Sequence, residues 1–295
     1  MGVNMKVIGV IGAGVMGTGV AHNFALAGYD VVLVDISEDI LTRAKEKIAN
    51  NIRFQGLYNK DFAAEKPETI LNRISFTMDY DLLQDADYII ENVPEKWEIK
   101  RDVYLKLDRI CPDHCIFSVN TSCISITKVA ALTNRPTQVI GSHYMNPVIM
   151  KPVVEVIKGY HTSEETIEAT VHLLSTLNKE AIIVNDLPGF VSNRISHLFM
   201  NEAAFVVQDQ VANPKDVDDV FKKCFGHKMG PLETADLIGL DTVVQSLDIL
   251  YESYQDSKFR CCPLLRKMVE AGTLGRKSGQ GFYSYPVYEG SFVKA

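Results

Sequence analysis

His143 and Glu155 stand twelve positions apart in GSHYMNPVIMKPVVEV, the otherwise apolar run from Gly141 to Val156. An imidazole titrates near neutral pH and can take or give a proton, and a carboxylate within reach of its far nitrogen would set its tautomer. Taken alone, His143 reads first as a hydrogen-bonded histidine at a strand end. Nearer the amino terminus, Gly12-Ala13-Gly14-Val15-Met16-Gly17 fits GxGxxG, with a hydrophobic run before it and an amphipathic stretch after it. Glycines so placed permit a tight turn, a close approach of backbone to pyrophosphate and close packing of helix on strand. The helix that follows offers unpaired N–H groups and partial positive charge to phosphates. Asp35 ends the next β-like run, where a carboxylate accepts hydrogen bonds from adenosine ribose hydroxyls and would repel a 2′-phosphate. Ile36-Ser37 brings no arginine to reverse that preference, so Gly12, Gly14, Gly17 and Asp35 predict NAD rather than NADP. The alternative is a glycine turn that merely joins strand to helix, with Asp35 a solvated strand end.

The elements around these residues change character along the chain. In the first half, KVIGVI, DVVLVD, ADYIIEN, CIFSVN, TQVIGSH, VVEVI and AIIVND read as strands, with helices from about Val15 to Ala27 and again after Ser37. Such alternation implies crossover units and a parallel sheet covered on both faces. After Asp186-Leu187-Pro188-Gly189 the pattern turns helical, in FVSNRISHLFMNEAAFVVQD, PKDVDDVFKKCF, LDTVVQSLDILYESY and CPLLRKMVEAG. The expected fold is α/β, a Rossmann-like doubly wound and mostly parallel sheet in residues 1–186, followed by an all-α domain in residues 187–295.

Composition excludes several classes. With 46% hydrophobic and 23% charged residues and a formal net charge of −7, the chain reads as globular and lacks the basic runs that phosphate-backbone binding requires. No apolar segment reaches the roughly 18 residues of a membrane span, and the amino-terminal apolar run enters a glycine turn without a basic leader, so a cytoplasmic location is expected. The six cysteines show no repeated CxxC at zinc-site spacing, so they are read as reduced thiols and no metal is expected.

The chain resembles the 3-hydroxyacyl-CoA dehydrogenase family, close in style to its 3-hydroxybutyryl-CoA dehydrogenases, over nearly its full length. The likeness rests on VIGAGVMGTGVA at the glycine turn, NTSCISIT from Asn120, SHYMNPV from Ser142, VVEVI from Val153, PGFVSNRI from Pro188, GPLETADLIGLD from Gly230 and LGRKSGQGFY from Leu274. It implies an NAD-dependent oxidation of a 3-hydroxyacyl thioester, or its reverse. It also implies a site between the two domains and a homodimer formed through the helical one. Position by position, it assigns the base to His143, its orienting carboxylate to Glu155, a hydroxyl contact to Ser122 and a substrate or histidine contact to Asn193. Cofactor contacts fall to Glu95, Lys100 and Asn120. Taken singly, Ser122 could cap the turn before Ser125-Ile126-Thr127 and Asn193 could be an ordinary helical residue. Cys123 beside Ser122 is read as packing, since hydride transfer needs no covalent step.

Two departures bear on the substrate. Relatives often read HFFNPxPVMKLVEV where this chain has Tyr144-Met145 and Pro152, next to the base, so the acyl pocket is expected to differ in shape. Relatives also place several lysines near a glycine after the second strand, whereas in the corresponding segment here, Ala49 to Lys60, only Arg53 and Lys60 are basic. A thinner cationic rim leaves two carriers open, coenzyme A or the phosphopantetheine arm of an acyl carrier protein, the latter as in enzymes that make polyketide extender units. The rival functions are a free β-hydroxyacid dehydrogenase, which would use a catalytic lysine, and a non-catalytic NAD-binding protein.

Overall fold

A computed structural model describes residues 5–58 and 66–286 and divides into two compact units, Met1–Leu187 and Pro188–Ala295. In the first unit the order is β1 (Val7–Ile11), α1 (Val15–Leu26), β2 (Asp30–Val34), α2 (Glu38–Tyr58), α3 (Pro67–Leu71), β3 (Ile74–Thr77) and β4 (Tyr88–Glu91). There follow α4 (Trp97–Ile110), β5 (Ile116–Val119), α5 (Ile126–Ala130), β6 (Val139–His143), β7 (Val153–Lys158), α6 (Glu164–Thr176) and β8 (Glu180–Asn185). Among the described residues eight strands form one sheet in the order β3-β2-β1-β4-β5-β6-β7-β8. Every neighbouring pair is parallel except β6 and β7.

The central strands are apolar on both faces because helices cover both: every residue of β4, β5 and β6 is buried. Ile8, Val10, Leu33, Ile90, Ile140 and Val154 join Phe24 of α1 in one core. Helix α1, VMGTGVAHNFAL, is apolar nearly all round and is accordingly buried from Gly17 to Ala25 except at Gly19. Strand order reverses between β1 and β4, and in open α/β sheets ligands bind beyond the carboxyl ends of strands at such a point. The short edge strand β3, ISFT, was not expected: four residues with one buried side chain carry too little alternation to announce a strand.

The second unit contains α7 (Ser192–Gln208), α8 (Pro214–Cys224), α9 (Pro231–Ile238), α10 (Leu240–Tyr254) and α11 (Pro263–Glu270) around Met200, Ala204, Leu240, Val243, Leu247 and Leu265. Two buried aspartates organise it. Asp218 caps α9 by accepting from the amides of Leu232 (2.8 Å) and Glu233 (2.9 Å), and also from the Tyr283 hydroxyl (2.7 Å). Asp236 accepts from the amides of Phe282 and Tyr283, both 3.0 Å, and from the Tyr285 hydroxyl at 2.9 Å. The segments GPLETADLIGLD and LGRKSGQGFY are therefore two halves of one clamp.

Candidate active site

The glycine turn leaves β1 and enters α1 beside the end of β2. Gly12, at φ +90°, donates to the Val34 carbonyl (2.7 Å), and a Cβ on Gly17 would overlap the Gly12 carbonyl oxygen. At Gly14 a Cβ would meet no protein atom within 4 Å, so this face of the turn is open to a ligand. Gly14 is also the N-cap of α1, without a side-chain cap and with no acid in the first turn. The first amides of the helix thus remain available to an anion. Asp35 lies across the turn, its Oδ2 accepting from the Ala13 amide (2.6 Å) and its Oδ1 from the Ile36 amide (2.7 Å). Each oxygen keeps a further lone pair for a ribose hydroxyl. A largely apolar cavity of about 450 Å³ is lined by Gly14, Asp35, Ile36, Tyr80, Asn92 and Ile99 among others. These residues suit NAD: an uncapped helix end for the pyrophosphate, a carboxylate for the ribose and apolar walls for the adenine.

His143 is the last residue of β6, and the antiparallel register of β6 and β7 sets it directly opposite Glu155. This pairing explains the twelve-residue spacing: the chain leaves the sheet, turns through 144–152 and returns. His143 and Glu155 are 6% and 7% exposed, and Nδ1 lies 2.8 Å from Glu155 Oε2. With Glu155 ionised, the carboxylate accepts only; Nδ1 then carries the proton and Nε2 presents its lone pair. Ser122 Oγ lies 3.2 Å from that Nε2.

Ser122 is carried by a turn after β5 that Glu95 organises. Glu95 Oε1 accepts from the amides of Ser122 (3.0 Å) and Cys123 (3.1 Å) and from the Thr121 hydroxyl. Asn120 donates from Nδ2 to Asn92 Oδ1 (2.7 Å), and its Oδ1 accepts from the Tyr144 amide (3.3 Å). Lys100 is wholly buried and spends its three N–H donors on Glu91 Oε1, Glu91 Oε2 and the Asn120 carbonyl. Ser122, His143, Glu155, Glu95, Lys100 and Asn120 thus converge in the first unit. Asn193 stands in the first turn of α7 in the second unit, half-buried, its carbonyl 2.9 Å from His197 Nδ1.

Glu91 and Asn92 were not singled out in the sequence. Glu91 ends an apolar strand, and an acid in a run of buried positions was the one available signal. Burial pushes the Cys123 thiol up to about 12, which disfavours the thiolate. Of the altered residues near the base, Tyr144 packs into the core, Met145 is half-buried and Pro152 is exposed. Tyr144 therefore takes part in the sheet packing rather than facing open space. Arg53 is exposed on α2, and Lys60 lies outside the described residues. Among the described residues, no cluster of His, Cys, Asp or Glu could hold a metal ion, and no helix is long and apolar enough to cross a membrane.

Known proteins match this architecture end to end. Residues 7–187 match the model of the 3-hydroxyacyl-CoA dehydrogenase NAD binding domain, and residues 189–285 that of the 3-hydroxyacyl-CoA dehydrogenase C-terminal domain. The chain is 43% identical over 281 residues, 95% of its length and 98% of the relative's, to a probable 3-hydroxybutyryl-CoA dehydrogenase of Bacillus subtilis. It is 45% identical over 277 residues, 94% and 99% of the two chains, to another of Deinococcus radiodurans. The crystal structure of (S)-3-hydroxybutyryl-CoA dehydrogenase from Ralstonia eutropha superposes with a TM-score of 0.91 at 37% identity, covering 96% of this chain and 100% of that one. With both domain models matched in order and the dinucleotide cleft built as its sequence required, this chain belongs to the family of NAD-dependent 3-hydroxyacyl-CoA dehydrogenases.

Proposed function

We propose that the chain interconverts a short 3-hydroxyacyl-CoA, of the size of 3-hydroxybutyryl-CoA, and its 3-oxoacyl thioester, with His143 as the general base. The observation that carries the reading is the imidazole held at Nδ1 by Glu155, 2.8 Å away, with Nε2 facing the Ser122 hydroxyl. NAD supplies the hydride acceptor when bound. In the oxidative direction His143 Nε2 takes the hydroxyl proton, and Glu155 favours the imidazolium that forms. Ser122 donates to the reacting oxygen, orienting the carbon-bound hydrogen. Gly12, Gly14, Gly17 and Asp35 hold the dinucleotide, while Glu95, Lys100 and Asn120 shape its nicotinamide end. Asn193 is given a substrate or histidine contact on resemblance alone.

The short acyl group and the coenzyme A carrier rest on the names of the relatives. The thin basic rim, with Arg53 alone among the described residues of that segment, favours the acyl-carrier-protein alternative. NADH oxidation with acetoacetyl-CoA, against carrier-protein-bound 3-oxoacyl substrates at matched concentration, decides between them. A preference of about tenfold or more, well over 1 kcal/mol of differential transition-state binding, names the carrier. Turnover of free hydroxyacids without a thioester would favour the β-hydroxyacid reading instead. The same reading makes the protein a cytoplasmic homodimer. Support for the dimer comes from a groove on the second unit lined by Phe199, Val206, Val217, Val220 and Phe221, with Phe225 exposed nearby in sequence.

A further inference from the structure

The Glu91–Lys100 ion pair has both side chains at 0% exposure. Taking two charges out of water costs several kcal/mol per ion, and an apolar pair of similar volume is often as stable. Its presence here therefore asks for a reason beyond the fold. Both partners are fully engaged. Glu91 Oε1 accepts from Lys100 Nζ (2.9 Å) and from the Val93 amide (2.6 Å), and Oε2 accepts from Nζ at 2.8 Å. Burial raises the Glu91 carboxyl above its usual range, and Lys100 opposes that rise.

What the pair holds lies beyond itself. The third Nζ proton goes to the carbonyl of Asn120 (3.0 Å), and Nζ lies 3.6 Å from Glu95 Oε2. The other Glu95 oxygen gathers the Thr121 hydroxyl and the Ser122 and Cys123 amides. The Asn120 amide in turn donates to the Glu91 carbonyl (3.0 Å). From Glu91 to the imidazole there is an unbroken sequence of contacts: Glu91, Lys100, Asn120 with Glu95, the 121–123 turn, Ser122, His143.

We propose that Glu91 is a positioning residue, which by fixing Lys100 holds the Asn120–Cys123 turn and so sets the Ser122 hydroxyl against His143. The inference rests on the dehydrogenase reading of Ser122 and His143. In Glu91→Gln the shape is kept and the charge removed, so the buried ammonium turns toward Glu95 Oε2 and draws Glu95 away from the turn amides. Loosening the hydroxyl by even 1 Å costs reaction rate without costing much ground-state binding.

The test is made on Glu91→Gln and on Glu91→Gln/Lys100→Met, the second removing the unpaired charge should the first fail to fold. In the cofactor-free protein, hydrogen exchange of the Ser122 and Cys123 amides is expected to accelerate roughly tenfold or more in both variants, while β1 and β4 amides keep their protection. In the enzyme with NADH and acetoacetyl-CoA, kcat falls roughly tenfold to a hundredfold while KM moves less than about threefold. Recovery of wild-type kcat and wild-type amide protection in the double variant overturns the proposal, as does a Glu91→Gln that lowers only the melting temperature. His143→Ala is run alongside. If it turns over like wild type, the assignment of the base fails, while the exchange rates still judge the role of Glu91.

Discussion

His22 offers a sharp test of how burial governs this protein. It lies in the middle of α1, is 0% exposed, and neither ring nitrogen has a hydrogen-bond partner among the described residues. Burial in that apolar setting lowers its pKa from 6.5 to about 4, so the folded protein carries a neutral ring near pH 7. The unfolded chain binds its proton first as the pH falls, which means stability is lost between pH 6.5 and about 4 and no further below that. At about 1.4 kcal/mol for each pH unit, the whole loss is about 3 kcal/mol, of which about 2 kcal/mol has gone by pH 5. The perturbation is His22→Leu, which removes both the titration and two unsatisfied nitrogens. It should be neutral or stabilising at pH 7 and clearly stabilising at pH 5. Because the chain has two units, unfolding is best followed in the first one, by exchange of the α1 and β1 amides. The variant-minus-wild-type difference should grow by about 2 kcal/mol between pH 7 and pH 5, and NMR titration of the ring protons should give a midpoint near 4. A midpoint near 6.5, or parallel pH dependence in the two proteins, would refute the reasoning.

Three further outcomes are expected. His143→Ala lowers single-turnover hydride transfer by roughly 10²–10⁴-fold, the usual cost of losing a general base. Its NADH affinity, followed by quenching of Trp97, the single tryptophan of the chain, stays close to wild type; an unchanged chemical rate would remove the base. Asp35→Ala narrows the gap between NAD and NADP. It also weakens NAD about tenfold, because the Ala13 amide loses its acceptor; an unchanged preference in paired Kd measurements would place discrimination elsewhere. Asp236→Ala strands two amides and a hydroxyl, and should destabilise the helical unit by about 3 kcal/mol in thermal unfolding. A shift under about 1 kcal/mol would mean that water replaces the carboxylate.

The parts readable from sequence are those in which neighbouring residues decide the outcome. The GxGxxG turn, the apolar runs of β1, β4 and β6 and the helical period after Pro188 are local, and each is repeated often enough to be unambiguous. What resisted reading is non-local or weakly patterned. β3 is too short, and α9 hides between two glycines with its cap supplied by Asp218 from another helix. The resemblance named His143 and Glu155, yet their contact depends on a reversal of strand direction between β6 and β7, which composition does not announce. Glu91 carries only a faint signal in the sequence, because an acid in a buried strand has meaning only once its lysine returns from the following helix.

The clamp on Asp218 and Asp236 has a bearing on how the protein is born. Both aspartates belong to helices made well before Phe282, Tyr283 and Tyr285, which complete their hydrogen bonding. During synthesis the packing of α8 and α9 therefore stays provisional until residues 282–285 have been made. A nascent chain stalled before Phe282 would present an open bundle to chaperones and proteases, so folding of this unit waits on a segment made long after the helices that it closes.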